Sequence, residues 1–419
     1  MKALCISAIA SNQGKTVLTM ALLHHFKKSV RPFKIGPDFI DPQFHTLICD
    51  TPSVNLDRFM MDENQVKWLF NKYSNKDISI CEGVMGFYDG MDKASSAYDL
   101  SKLLKIPTVL LLDGSGSYIT ISAVLKGLVT YKNDNTIKAV VLNKLSSIGH
   151  YELIKNQIEK DFNDIVVLGW IKKDLQSLNE THLGLDLKDT SKIESISKEI
   201  LENIDIKLLT KVADGFKKQE TEVYPFKKLD PLNKKIAIVN DENFSFLYHD
   251  NAQFLKEIFK DVVFVNVTKD EIIPKDADVV YIVGGYVETD FNYENIKDSR
   301  KFKESLITHA NTKHVYAECA GLLYLGKSVD EKMMSGILDL EFTLHNRFQR
   351  MGYYFNSENI RGHSFHYTNI LQKKPGVDIL SKTKNGNGET GSWQKDNVFG
   401  TYLHTMLRNN TQLIQRRFI

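Results

Sequence analysis

Six short apolar runs divide the first 170 residues: Lys2–Ile9, Phe33–Ile35, Ile78–Cys81, Thr108–Leu112, Ala139–Leu142 and Val166–Trp170. Strands that are apolar on both faces need cover on both faces, and amphipathic stretches such as Thr16–Phe26 and Ser96–Leu104 supply it. The alternation predicts an α/β chain with a doubly wound, mostly parallel sheet. Between about 188 and 232 the composition turns to Lys, Glu, Asp and Ser, as in Phe216-Lys217-Lys218-Gln219-Glu220, and the rhythm lapses. It restarts with Lys235–Val239, Val262–Val267, Val279–Val283 and His314–Ala317. Stretches around Met351–Phe355, His363–Thr368 and Val398–Leu403 are read as strands closing a second sheet. A chain of 419 residues has room for two or three domains. The boundaries expected are 1–187, a charged helix and linker over 188–232, and 233–419, with no short-period repeat.

Lys plus Arg number 54 and Asp plus Glu 52, a formal charge of +2. This balance gives no electrostatic reason to expect nucleic acid or an anionic membrane as partner. Cys5, Cys49, Cys81 and Cys319 are scattered, with no C-x-x-C pair, so neither a zinc site nor a disulfide framework is indicated. No apolar run approaches the roughly 18 residues of a membrane span. The N-terminus passes from an apolar run to Gly-Lys-Thr with no room for a signal-peptide core and cleavage site. It is read as the first strand of a cytoplasmic domain.

That strand runs into Ser11-Asn12-Gln13-Gly14-Lys15-Thr16 and then a helix. Glycine lets the backbone turn so that successive N–H groups and the helix N-terminus face phosphate oxygens. Lys15 would hold the β- and γ-phosphates of ATP, and the Thr16 hydroxyl would sit on Mg²⁺. The strict phosphate-loop pattern wants glycine where this chain has Ile9.

Two further segments follow the second and third apolar runs: Lys34-Ile35-Gly36-Pro37-Asp38-Phe39-Ile40-Asp41-Pro42 and Glu82-Gly83-Val84-Met85-Gly86-Phe87-Tyr88-Asp89-Gly90. Loops at the carboxyl ends of parallel strands converge on the ligand crevice. Lys34 is therefore grouped with the nucleotide-binding residues. Asp41 and Glu82 are taken as Mg²⁺ ligands beside Thr16, since Mg²⁺ takes a few carboxylates together with phosphate and water. Read singly, each segment could be an ordinary Gly/Pro/Asp turn; both together, after successive strands, point to a site.

In the second half, His314–Ala317 leads into Glu318-Cys319-Ala320-Gly321. Small residues around a cysteine at a strand-to-helix turn expose the thiol, and the helix N-terminus is expected to lower its pKa. Cys5 and Cys81, inside apolar runs, read as inert core residues. His404, after Val398–Leu403, is the expected base for Cys319. Backbone N–H groups of Gly285 and Ala320 are the expected oxyanion donors.

A phosphate-loop synthetase followed by a Cys–His amidase resembles the cobyrinate a,c-diamide synthase family across essentially the whole chain. The resemblance rests on Lys34–Pro42, Asn55-Leu56-Asp57, Glu82–Gly90 and Glu180-Thr181-His182-Leu183-Gly184-Leu185. In the second half it rests on Phe244-Ser245-Phe246 with Tyr248 and Asp250-Asn251, on Gly284-Gly285-Tyr286-x-Glu288, on Ala317-Glu318-Cys319, on Gly362–Tyr367 and on Tyr402-Leu403-His404. The chain departs from the family pattern at Asn12, Thr181, Ala320 and Ser364. No acid stands two residues after His404, and the resemblance implies a Cys–His dyad.

The resemblance implies a dethiobiotin synthetase-like ATP domain followed by a class I glutaminase-like α/β domain. Glutamine would yield ammonia at Cys319, and ATP would activate a carboxylate as an acyl phosphate. The a and c acetates of cobyrinate would become acetamides at a cost of two ATP and two glutamines. It also places Asp38 and Asp89 in a substrate-side catalytic cluster. Nickel-sirohydrochlorin and hydrogenobyrinate are alternative tetrapyrroles, and a homodimer is the assembly allowed for. The rival of another class is a partition-type ATPase switch, which would have no use for a glutaminase half.

Overall fold

A computed structural model describes residues 1–173, 175, 180–181, 184–185, 190–218 and 223–419. They form two compact units, 1–225 and 226–419. The stretch His182-Leu183 lies outside the described residues.

Among the described residues, the first unit carries seven strands: β1 (Lys2–Ala8), β2 (Val30–Ile35), β3 (Val54–Leu56), β4 (Ile78–Glu82), β5 (Thr108–Asp113), β6 (Ile137–Leu145) and β7 (Val166–Lys172). They lie in the order β3-β2-β4-β1-β5-β6-β7, every pair parallel. Six of these match the apolar runs of the sequence. The edge strand β3 does not, because its three residues Val-Asn-Leu are too few to show a pattern. β1 lies between β4 and β5, so the loops leaving β1, β2 and β4 open along one carboxyl edge, where parallel sheets hold their ligands.

The segment expected to be linker is structured instead. Helices Thr190–Leu201 and Ile206–Ala213 belong to the first unit, with Ile193, Ile196, Ile200, Leu209 and Ala213 buried in its core beside Leu4, Leu18 and Leu22. Spacings of three and four put those isoleucines on one face, while Glu194 and Lys198 stay outside. Each buried isoleucine contributes roughly 1.5–3 kcal/mol, which outweighs the polar look of the segment. The Asp205 carboxylate caps the second helix by accepting from Leu208 N at 2.8 Å.

The second unit has a mixed sheet of nine strands among the described residues. Its order is Phe259–Val265, Leu232–Val239, Val279–Ile282, His314–Glu318, Val398–Thr401, Gly388–Lys395, Asp378–Ser381, Tyr353–Phe355, Arg361–His363. The first five are parallel and the rest antiparallel. His363–Thr368 is not one strand. Its start pairs with Tyr353–Phe355, whereas Thr368–Ile370 joins a separate four-stranded sheet with Glu341–Leu344. The core is built on Ile236, Ile238, Tyr281, Tyr316, Leu322 and Phe399. No helix among the described residues is long and apolar enough to cross a membrane.

Candidate active sites

At the end of β1 the chain turns through Ser11–Gly14 into helix α1 (Lys15–His25). Gly14 adopts φ +90°, and a Cβ there would meet Asn143 Nδ2 at 2.6 Å. Glycine is thus required twice, by backbone sign and by space. Asn12 takes the left-handed conformation at φ +59°, where the phosphate-loop pattern has a further glycine and where asparagine is among the most tolerant residues. Asn143, at the end of β6, donates to the Gln13 carbonyl at 2.8 Å and holds the loop against the sheet. Nothing in its local sequence marked it.

Lys15 is buried, and its ammonium donates to the Ala10 carbonyl of the same loop at 2.8 Å. Burial and the nearby Lys34 ammonium lower its pKa from the usual lysine value. The Thr16 hydroxyl donates to Glu82 Oε1 at 2.8 Å. Glu82 has no solvent exposure, accepts from Lys34 Nζ at 3.3 Å, and places Oε2 2.7 Å from His45 Nε2. Burial opposes its charge, but the Lys34 ammonium and the bonds from His45 and Thr16 hold its carboxyl below the usual range.

Lys34 also pairs with Asp41 and lies 3.6 Å from Asp38. Burial alone would strip its proton; Glu82, Asp41 and Asp38 together hold the ammonium above its usual pKa. Burial and the neighbouring Glu82 charge push the Asp41 carboxyl up to about 8. One ammonium cannot fully compensate several buried carboxylates, so Asp41 is the one that retains a proton. Asp38 Oδ1 caps the next helix by accepting from Ile40 N at 2.8 Å, and Asp89 Oδ2 accepts from Gly86 N at 2.7 Å. The structure thus gathers Thr16, Lys34, Asp38, Asp41 and Glu82, and adds His45, which the sequence reading passed over. His45 stands four residues after Asp41 on helix Ile40–Cys49, a spacing that puts both on one face.

The second site sits at the strand end Glu318. Cys319 has φ +47° and ψ −105°, a strained elbow before the short helix Ala320–Leu325. Its thiol is buried, and burial and the nearby Glu288 carboxylate push its pKa up, against only the Ala320 N–H pulling it down. The expected lowering by the helix end is therefore not found. A helix of six residues inside a desolvated site does not offset burial. The Ala320 N–H stands against the sulfur, where an oxyanion donor is needed.

His404 is buried, with Nδ1 3.1 Å from Glu318 Oε2. Its ring stacks on His363 at 5.0 Å between centroids, and the Tyr248 hydroxyl lies 3.1 Å from His363 Nδ1. The chain beyond His404 is anchored by Asn251, which donates to Thr405 O and accepts from Leu407 N. A buried Arg408 grips Asp250 and Glu257 nearby. The Asp250-Asn251 pair therefore has a positional meaning that its sequence did not reveal. Ser364 is fully buried.

The two glycines expected near the oxyanion are both dictated by close approach. Gly285 has φ +153°, and a Cβ would meet Asn243 O at 1.9 Å. A Cβ on Gly284 would lie 2.3 Å from His404 Cε1 and 3.2 Å from Phe246 Cβ. Gly284→Ala is expected to displace the imidazole and lower glutamine hydrolysis by about 100-fold with the fold retained. Steady-state kinetics beside circular dichroism would check this, and a change under threefold would refute it.

Burial, then the nearby Arg350, lower the His366 pKa from 6.5 to about 3, with Nδ1 bonded to Thr368 O at 2.8 Å. A depressed pKa means the folded state binds the proton more weakly. Stability is then full above 6.5 and falls as pH drops toward about 3. Between pH 6.5 and about 5 this histidine alone costs about 2 kcal/mol. Urea unfolding should therefore show a shallower acid slope in His366→Gln than in the natural chain, and equal slopes would refute the assignment.

Among the described residues no three His, Cys, Asp or Glu side chains form a metal cage of their own. The family model for the CobB/CobQ-like glutamine amidotransferase domain matches residues 235–412. The whole chain aligns with the cobyrinate a,c-diamide synthase of Fusobacterium nucleatum at 34% identity, covering 100% of both. The enzyme of that name from Listeria monocytogenes is 32% identical over 100% of this chain and 99% of its own length. That of Caldanaerobacter subterraneus is 36% identical over 87% of this chain and 86% of its own.

Proposed function

The chain belongs to the cobyrinate a,c-diamide synthase family, and from that premise we propose that it converts the a and c acetates of cobyrinate to acetamides, using ATP and ammonia cut from glutamine, in the cytoplasm. The observation that carries the reading is the pairing, in one chain, of a phosphate loop with a cysteine elbow whose neighbouring histidine is buried against a carboxylate.

At the second site the Cys319 sulfur attacks the glutamine side-chain amide as His404 takes the thiol proton. The same proton then goes to the departing nitrogen, and ammonia leaves. Water cleaves the thioester to give glutamate and restore the thiol. The Ala320 and Gly285 N–H groups are the proposed oxyanion donors. The raised thiol pKa makes the histidine necessary, since the resting sulfur keeps its proton.

At the first site the residues present suit a magnesium nucleotide. Gly14 leaves open backbone at a helix N-terminus, and Lys15 has only a loop carbonyl to satisfy. Thr16 and Glu82 already meet at 2.8 Å, as a hydroxyl and carboxylate sharing one hard cation would. Thr16 and Glu82 would hold Mg²⁺, with Asp41 joining once released from Lys34; when bound, the ion neutralises phosphate charge. Ser11, Asn12, Gln13 and Gly14 wrap the phosphates, and Lys15 balances charge at the transferred group. The substrate carboxylate becomes an acyl phosphate, which ammonia opens to the amide with loss of phosphate. Asp38 and Asp89 are proposed to serve the substrate side.

The test is amidation of cobyrinate, nickel-sirohydrochlorin and hydrogenobyrinate with ATP and glutamine, read by mass. Two successive carboxyl-to-carboxamide conversions on cobyrinate support the reading. Turnover of another tetrapyrrole alone keeps the chemistry and changes the substrate, while no amidation of any of them overturns it. ATP hydrolysis without glutaminase activity would restore the switch reading.

A further inference from the structure

We propose that Glu318 completes a Cys–His–Glu triad whose acid and nucleophile are consecutive residues of one strand end. The idea rests on the amidotransferase reading above and departs from the dyad that the family pattern implies. The missing acid after His404 is replaced by one delivered through strand register.

His314–Glu318 and Val398–Thr401 pair in parallel, with Glu318 opposite Thr401 and Cys319 N donating to Thr401 O at 2.8 Å. That register carries His404, three residues beyond Thr401, over the end of the neighbouring strand, where Glu318 Oε2 lies 3.1 Å from its Nδ1. Neighbouring residues of a strand point to opposite faces. The φ of +47° at Cys319 breaks this alternation and lets one dipeptide supply both ends of the triad.

Glu318 is buried. Its Oε1 accepts from the Tyr316 hydroxyl at 3.0 Å, and among the described residues no lysine or arginine pairs with it. Its one candidate cation is His404. When the thiol proton moves from Cys319 to the far ring nitrogen, Nδ1–H remains directed at Glu318, and the charge created on the imidazole meets a carboxylate already in place. The pairing therefore strengthens during the reaction instead of only holding the resting state. Glu318 is a positioning residue that touches no substrate. The other titratable groups around the pair are Tyr281, His363, His366, Glu288 and Cys319.

The experiment compares the full-length chain with Glu318→Gln and Glu318→Asp in three assays. These are glutamine hydrolysis across pH, amidation with free ammonia, and alkylation of Cys319 by iodoacetamide followed on its tryptic peptide. The Gln variant should lose about 1,000-fold in kcat with glutamine KM within about threefold. Ammonia-driven amidation should persist, and alkylation near neutral pH should slow at least about tenfold. The Asp variant should recover at least about tenfold over Gln, because the charge returns at a longer reach. A Gln variant within threefold of the natural chain overturns the triad. So do equal losses in both variants with an unmoved pH profile, which would mark Glu318 as packing alone. Alkylation needs no glutamine. If the natural chain released no ammonia, the amidotransferase reading would fail, yet the alkylation difference would still score Glu318.

Discussion

Cys319→Ala should abolish glutamine-dependent amidation, by more than about 1,000-fold, while free ammonia still supports the reaction within about threefold of the natural rate. The sulfur is the one atom of the second unit proposed to bond covalently to glutamine, so nothing remaining can form the thioester. The substitution is mild for the fold. Cys319 is buried at an elbow, and alanine removes one sulfur without leaving a charge or a donor unpaired. The backbone at φ +47° is already imposed by the Thr401 and Leu323 hydrogen bonds on either side. Mass-resolved assays with each nitrogen donor would decide the matter. Equal loss with both donors would show that the second unit supports the first in some way other than supplying ammonia.

Lys15→Ala should produce the reverse dissociation. Amidation with glutamine and with ammonia should both fall by about 1,000-fold, while glutamine hydrolysis measured alone persists. Lys15 is buried, but its ammonium bonds only to the Ala10 carbonyl, so truncation strands no buried carboxylate. Glu82 would be a less clean target. It accepts from Thr16, Lys34 and His45 together, and removing its charge would leave a buried ammonium poorly matched, at a cost of about 3–5 kcal/mol in stability. A Lys15→Ala enzyme that amidates normally with saturating ATP would remove the phosphate loop from the mechanism.

Much of the fold was legible because its strands are buried on both faces and therefore read as unbroken apolar runs. Elements that lack that signature escaped. Strand Gly388–Lys395, with sequence Gly-Glu-Thr-Gly-Ser-Trp-Gln-Lys, lies in the antiparallel part of its sheet with both ends exposed. Helix Thr190–Leu201 looked like linker because three isoleucines were outnumbered by polar neighbours, although their spacing carried the answer. Among site residues, those on motifs at strand ends were visible: Gly14, Lys15, Thr16, Lys34, Glu82, Cys319 and His404. Asn143 and Glu318 were not given roles, since each works through a partner 86 or more positions away.

The sequence by itself determined the local chemistry. A glycine before Lys-Thr at the end of an apolar run, and a cysteine among small residues at the end of another, are statements about backbone freedom and side-chain type that hold wherever the chain goes. Only the tertiary structure decided what state those groups are in. The Cys319 thiol is pushed up because the elbow is buried, not down as its place before a helix suggested. His404 has an acid because strand register, a non-local property, lays the end of one strand beside the end of another. Desolvation and pairing depend on everything that surrounds a group, and in a parallel sheet those surroundings come from strands far apart in the chain.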